Sequence, residues 1–500
     1  MYSLFIAIVL AGSTSSPVAP PVDPTTVATG PVQVEPIAEP IARMILALRE
    51  GRNEDALAAA KGLTGRSDFE AQPLEVRRGV WHMIGLLNAE LGRHEAAIEP
   101  LRIASRLPGA DAEIWFPLMD AQVRSERWDD AAQTLIDLTR LTPRVLDEVN
   151  DDYVFQLVRH PDVSADKRFA VRDALWEAKW SPERPSGFWL AYIDGLLERE
   201  RLDRALEVLP SVTAPSSRVQ LHALHRYGPL LDQAGRPAFD IDAAFAADLA
   251  ADRAAAADPE ADLEDRSTLA SSLMMAGLYE EGLGVAEAAL ALPRPTKDSE
   301  DWRTLTWIMD TRSRLLMALG RHEEALAQML EGSRRVEGEA VNVSQTINLG
   351  WLYLRLGRNA DALATVAEVD EDDVSPFGRM QAVQVAACAA HAMGDTAAAS
   401  KSFAYLAEHW RDAPGAAYDA LACRGDVDGM AALLVRRLGD ADMADDALAG
   451  LHTYLPSPSP TDFDARLISL SEEVVRRPDV VAARDRVGRV LIIPVLGGLF

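Results

Sequence analysis

From Ile41 onward, apolar residues recur at the three- and four-residue spacing of amphipathic helices, and the pattern runs almost to the C-terminus. Strand-like alternation and Asn-Gly or Asp-Gly hairpin signals are nearly absent, so the periodicity predicts an all-α chain. The helical pattern is broken at ten places by a short turn, usually a Gly followed five residues later by a small residue at a helix start. The clearest copies are Gly92-Arg93-His94-Glu95-Ala96-Ala97, Gly320-Arg321-His322-Glu323-Glu324-Ala325 and Gly357-Arg358-Asn359-Ala360-Asp361-Ala362; weaker ones begin at Gly51, Glu126, Glu200, Gly235, Gly277, Gly394 and Gly425. Counted between these marks, the intervals are 41, 34, 74, 35, 42, 43, 37, 37 and 31 residues. An interval of this size holds two helices of about 12–16 residues and a turn, so the chain predicts stacked αα-hairpins, with the 74-residue interval hiding one degenerate copy between Arg127 and Glu200.

Small residues on first helices (Gly85, Gly228, Ala270, Gly350) and on second helices (Ala97, Ala325, Ala362, Ala399) are placed to let paired axes approach closely, with Trp81, Trp115, Trp189, Leu316 and Tyr353 filling the space between neighbours. One repeat reads Trp81-x2-Ile84-Gly85-x2-Asn88-x3-Gly92-x4-Ala97-x3-Leu101-x2-Ala104-x3-Pro108; another reads Leu349-Gly350-x2-Tyr353-x3-Gly357-x4-Ala362, and a third runs from Trp115 to Pro143 in the same register. In these positions the chain resembles the tetratricopeptide repeat family over roughly Ile41 to Gly450, weakly near 149–180 and after Gly425. The resemblance implies an α-solenoid of about ten to twelve repeats in a right-handed superhelix.

The chain carries 77 acidic against 50 basic residues, a formal charge of −27, which argues against a nucleic-acid partner. Leu4–Ala11 form a short apolar run followed by small residues, so residues 1–13 have the character of a secretory signal, although no Lys or Arg precedes the run. Residues 14–40 belong to a Pro-rich linker, with seven prolines between Gly12 and Pro40. With few Lys and much Ala, the composition suggests a bacterial gene, and the two features together suggest a periplasmic or exported protein with no membrane span after signal removal; a cytoplasmic location is the alternative. Cys388 and Cys423 fall on first helices of successive hairpins, where they are either buried free thiols, the commoner state in Ala-rich helices, or a bridge formed in an oxidising compartment. Residues 451–500 form a C-terminal region of capping helices and an apolar tail from Val490 to Phe500. The tail is expected to fold over the last repeat's apolar face, with donation of a strand to a partner as the alternative.

Catalytic, metal and cofactor motifs do not emerge. His94-Glu95 and His322-Glu323 lack the second His four residues on, where Ile98 and Leu326 stand, and so have the character of turn residues. His160-Pro161-Asp162 matches a co-chaperone loop tripeptide, but its acidic flank Asp147 to Asp152 disagrees, and a turn in the degenerate repeat accounts for it better. The acidic groups at Asp370–Asp373 and Asp440–Asp446 lack the EF-hand order.

In the tetratricopeptide family, first helices line a concave groove. Carried over, that register implies binding candidates at His82, Phe116, Arg124, His225, Met274, Arg314, Met317 and Trp351, with Asp120, Asp194, His222 and Cys388 beside them. The family's Lys/Asn clamp for terminal carboxylates is not reproduced. The resulting expectation is a non-enzymatic scaffold that needs no cofactor or metal and binds a protein or peptide partner in its groove, within a bacterial envelope. The alternatives are a helical accessory or solute-capture component of an envelope enzyme system, and a cytosolic adaptor.

Overall fold

A computed structural model describes residues 37–182, 185–293, 300–334, 342–370 and 374–496. The signal at 1–13, the linker up to residue 36, residues 371–373 of one acidic run and the last four residues of the tail lie outside the described residues. The chain divides into two compact units, Met1–Ser211 and Val212–Phe500.

Unit 1 contains α1 (Ala38–Arg49), α2 (Asn53–Thr64), α3 (Leu74–Glu90), α4 (His94–Arg106), α5 (Ala112–Arg124), α6 (Trp128–Leu141), α7 (Asp151–Arg159), α8 (Ala165–Glu177), α9 (Pro185–Glu198) and α10 (Leu202–Val208). The first helix starts inside the stretch read as linker, with Pro40 in its first turn, where the missing N–H costs nothing. Principal packing joins each helix to the next or the next but one, which is the nearest-neighbour pattern of a helical repeat.

All ten marked turn residues have positive φ, including Gly92 at 72°, Gly320 at 73°, Gly357 at 71°, and two that carry a Cβ, Glu126 at 57° and Glu200 at 56°. The left-handed residue lets the following N–H reach back across the helix end: Arg93 N donates to Asn88 O at 2.8 Å, Arg321 N to Leu316 O at 2.8 Å, and Arg358 N to Tyr353 O at 2.8 Å. These are Schellman closures, which explains why Gly recurs there. The same Arg pairs with an acid in the first turn of the second helix, as Arg321 does with Glu324 and Arg358 with Asp361.

The long interval holds the hairpin α7–α8, and His160-Pro161-Asp162 is its turn. The His160 ring stacks on Trp128 at 3.6 Å, and Ser164 N donates to Asp129 Oδ1 at 2.8 Å, docking the turn on the start of α6. Lys179, with φ of 60°, supplies a further left-handed helix end that no Gly advertises.

Close approach of paired axes is visible atom by atom. A Cβ on Gly85 would lie 2.3 Å from Leu101 Cγ, and one on Gly350 would lie 2.7 Å from Val366 Cγ1. Gly228 departs from the expectation: the only heavy atom near its missing Cβ is in the Arg236 guanidinium, at 3.8 Å, so no close helix contact depends on it.

Unit 2 contains α11 (Pro215–Ala223), α12 (Gly228–Ala234), α13 (Ile241–Ala256), α14 (Leu263–Met275), α15 (Tyr279–Leu290), α16 (Glu300–Ala318), α17 (His322–Ser333), α18 (Val343–Arg355), α19 (Asn359–Val366), α20 (Pro376–Ala392), α21 (Thr396–Glu408), α22 (Pro414–Cys423), α23 (Val427–Leu438), α24 (Ala444–Ala449), β1 (Thr453–Leu455), α25 (Asp462–Val475), α26 (Pro478–Val487) and β2 (Ile492–Leu496). Its largest core runs through α14 to α22 and includes Leu283, Ile308, Leu316, Tyr353 and Val385. Cys388 on α20 and Cys423 on α22 are joined in a disulfide, with Cα atoms 5.4 Å apart, so the free-thiol alternative does not hold.

The described part of the apolar tail, up to Leu496, packs at the beginning of unit 2 and not over the last repeat. β2 pairs in parallel with β1, Thr453 opposite Ile492, and buries Ile493 and Val495 against Val219, Ile241, Phe245 and Met275 at the beginning of the unit. Residues 488–489 meet α11 as well: Gly488 bridges Leu224, and Arg489 N donates to Ala223 O at 2.9 Å. Arg226 Nη1 donates to Asp445 Oδ1 at 2.8 Å, so the two ends of unit 2 are tied together. No described helix is long and apolar enough to cross a membrane.

Candidate functional site

In unit 2, first helices α14 and α16 lie side by side, and their outward faces enclose an open pocket of about 500 Å³. α14 contributes Ser267, Ser271 and Met274, and α16 contributes Thr304, Trp307, Thr311 and Arg314. Each set recurs at three- or four-residue spacing, so each forms one helical stripe. Trp307 is 47% exposed, an unusual state for so large an apolar ring. Thr304 donates to Glu264 Oε2 at 3.1 Å, and the Ser271 and Thr311 hydroxyls stand 3.4 Å apart across the helix pair.

Arg314 is held in place by Asp310, whose Oδ2 accepts from Nε at 2.6 Å. Asp310 is buried, and its other oxygen accepts from Asn348 Nδ2 on α18 at 3.0 Å. A carboxylate shared between one guanidinium and the neighbouring repeat fixes the Arg side chain in one direction, which lowers the entropy lost when a ligand docks. The result is an aromatic face beside an oriented cation, with hydroxyls between. Such a surface can stack on an apolar or aromatic group and accept polar atoms around it.

Of the groove candidates, Met274 and Arg314 meet in this pocket. Met317 does not reach it; it is 3% exposed and belongs to the core. Trp351 is partly covered by the chain's own C-terminal region, with the Phe463 ring at 6.1 Å. That region follows the C-terminal ends of successive first helices: Leu455 lies beside Gly277, Ser459 beside Gly320, Asp464 beside Arg355, and Arg466 Nη2 donates to Cys423 O at 3.2 Å. His225 is exposed but sits in a 3-10 turn, His225–Tyr227. His222 on α11 contacts Phe239 O at 2.9 Å, and burial lowers its pKa. Cys388 is taken up by the disulfide.

In unit 1, His82 on α3 is largely enclosed, and burial pushes its imidazole pKa down. Phe116 is half-buried on α5. Arg124 ends α5 on the surface and pairs with Asp120 at 2.8 Å, a contact worth little in water. Asp194 lies on α9. These residues are spread over separate helices and share no described pocket. Sequence reasoning missed Trp307 and Asp310, although both stand on the face of α16 that carries Arg314.

No protein-family model matches the chain, and no curated protein matches its sequence. Solved structures similar to it include an APC/C hetero-tetramer of Cut9 and Hcn1, at 11% identity and a TM-score of 0.29, covering 91% of this chain and 96% of that one. Naa15/Naa10 bound to HypK-THB matches at 13% identity and a TM-score of 0.23, covering 90% of this chain and 80% of that one. The human IFIT1 dimer with PPP-AAAA matches at 11% identity and a TM-score of 0.33, covering 82% and 89%.

Proposed function

We propose that the protein is a non-enzymatic helical-repeat scaffold that holds an extended segment of a partner protein against α14 and α16. The observation that carries this reading is Trp307, exposed beside an Arg314 that Asp310 and Asn348 hold in position. Aromatic and Arg side chains of this kind are the usual anchors of protein interfaces. The Cys388–Cys423 disulfide supports assembly in an oxidising compartment, as does the apolar run Leu4–Ala11, and export to a bacterial envelope is part of the proposal.

The test is site-specific photo-cross-linking in fractionated cells, with the probe placed at Trp307 or, as a covered control, at Trp351. One dominant adduct to another protein from position 307, absent from 351 and lost on Arg314→Ala, is the expected result. Adducts only to the chain itself, or equal yields from both positions, would overturn the reading.

A second reading has one observation in its favour. The hydroxyls of Ser267, Ser271, Thr304 and Thr311 suit a small polar solute, as in the capture component of an envelope enzyme system. A solute-filled pocket would leave position 307 without a protein adduct.

A further inference from the structure

Helix α8 has two faces of opposite character. On one, the acids are drawn toward α9 and α10: Asp166 pairs with Arg199 at 2.7 Å, Asp173 with Arg201 at 3.3 Å and with the Tyr192 hydroxyl at 2.5 Å, and Glu177 with Arg204. On the other lie Arg168 and Arg172, one turn apart, and Arg159 at the end of α7 is close enough for its charge to act on Arg172. Among the described residues none of these three arginines has a carboxylate partner. Arg172 Nη1 donates only to the Arg168 carbonyl, at 3.2 Å, and its Nε is buried without a partner.

Aromatic rings connect the three. The Arg172 guanidinium sits 5.1 Å from the Phe188 ring centre, Phe188 and Phe155 meet edge to face at 5.7 Å, and the Arg159 guanidinium stands 5.7 Å from Phe155. Burial pushes the Arg172 pKa down to about 10, and the like charge of Arg168 pushes the same way; the Asp194 charge opposes them, by more than the smaller push from Arg159. In a chain of formal charge −27, three cations with no ion-pair partner among the described residues, and Asp194 near Arg172 alone, concentrate positive potential in one place.

We propose that Arg159, Arg168 and Arg172, with the Phe155–Phe188 ring pair between them, dock an acidic segment of a partner protein. The cations are spread along one face, with the half-buried Phe155 and, beneath it, the buried Phe188 separating Arg159 from Arg172, which matches carboxylates spaced along an extended chain. A single phosphate would need donors converging on one point. Each guanidinium offers paired N–H donors to a carboxylate. This site lies in unit 1 and is independent of the α14–α16 pocket.

The test uses the full chain and a short fluorescein-labelled peptide of repeated Asp-Glu-Phe, read by anisotropy, with the neutral Asn-Gln-Phe peptide beside it. The acidic peptide is expected to bind with an affinity that falls as salt rises. Arg159→Gln, an exposed substitution that loses only the guanidinium's contact with the Phe155 ring, should weaken binding about fivefold, and Arg168→Gln with Arg172→Gln by roughly tenfold or more. Arg106→Gln, on the surface of α4, should leave binding unchanged. Equal binding of the neutral peptide, wild-type affinity in Arg159→Gln, or complete displacement by millimolar inorganic phosphate would each overturn the assignment.

Discussion

The two units use the same hairpin and finish it differently. In unit 1 every described helix rests on its neighbours in sequence, from α1 to α10, and among the described residues no principal packing joins positions far apart in the chain. In unit 2 the last segments return to the first: Arg226 binds Asp445, Gly488 bridges Leu224, and β2 buries Ile493 and Val495 on α11 and α13. Nearest-neighbour contacts let a repeat array fray from its ends, whereas a tie between the ends makes any opening cost contacts at both. The same repeat can therefore belong to a graded structure or to a cooperative one, depending on how its terminus is used.

The sharpest test of that difference is to break the equivalent close contact in each unit. Gly85→Leu and Gly350→Leu both force a side chain where a Cβ alone would stand 2.3 Å from Leu101 or 2.7 Å from Val366. Each should cost about 3–5 kcal/mol. Hydrogen exchange should show loss of protection confined to α3 to α5 in the first case, but spread over unit 2 in the second. Equal spread in both would dissolve the comparison.

Removing the covalent link comes next. Cys388→Ser with Cys423→Ser opens a loop of 35 residues in sequence separation, and should lower the stability of unit 2 by about 3 kcal/mol, measured by denaturant melts with and without reductant. The wild type should show the same loss in reductant, and unit 1 none.

A smaller effect is expected at the tie itself. A side chain at Gly488 would meet Ala223 O at 2.2 Å and Leu448 at 2.6 Å, so Gly488→Val should cost about 2 kcal/mol and raise exchange at α11 and α24 first. Exchange rising instead at α16 to α18 would show that the ends do not hold the unit together.

The smallest change concerns acid. Burial pushes the Asp419 carboxyl up to about 6, against the Gln384 amide that donates to it at 3.2 Å and the charge of Arg437. Between the ordinary Asp value and about 6 the folded chain holds a proton that the unfolded chain has released, so stability falls as pH rises through that window. The full shift corresponds to about 3 kcal/mol, and partial exposure of the residue reduces it to ~1–2 kcal/mol. Asp419→Asn should recover that amount at neutral pH and nothing near pH 4, with the gain shared across unit 2 and absent from unit 1.

The array was legible because its signals are local. A residue in the left-handed region and the hydrogen bond it permits lie within six positions of each other, and so Gly92, Gly320 and Gly357 announce their turns. Lys179 makes the same conformation without the residue that advertises it. Pairing of Cys388 with Cys423 depends on a distance between two helices, which spacing alone does not determine. The tail gave least warning, because Ile492 to Leu496 is too short for alternation to show and Val219, Ile241, Phe245 and Met275, on which it packs, stand more than two hundred positions earlier. At the candidate pocket, Met274 and Arg314 followed from the repeat register. Trp307 and Asp310 lay on the same helical face, yet Asp310 acquires its role only through Asn348, one repeat further on.

The return of β2 to the start of unit 2 also bears on how this chain can evolve. A solenoid whose ends are free can gain or lose a hairpin by duplication and keep every remaining interface. In unit 2, one hairpin more or less would displace Asp445 from Arg226 and β2 from Val219 together, so its copy number is locked. Among its described residues unit 1 carries no such lock, and differences in length among descendants of this chain should accumulate there.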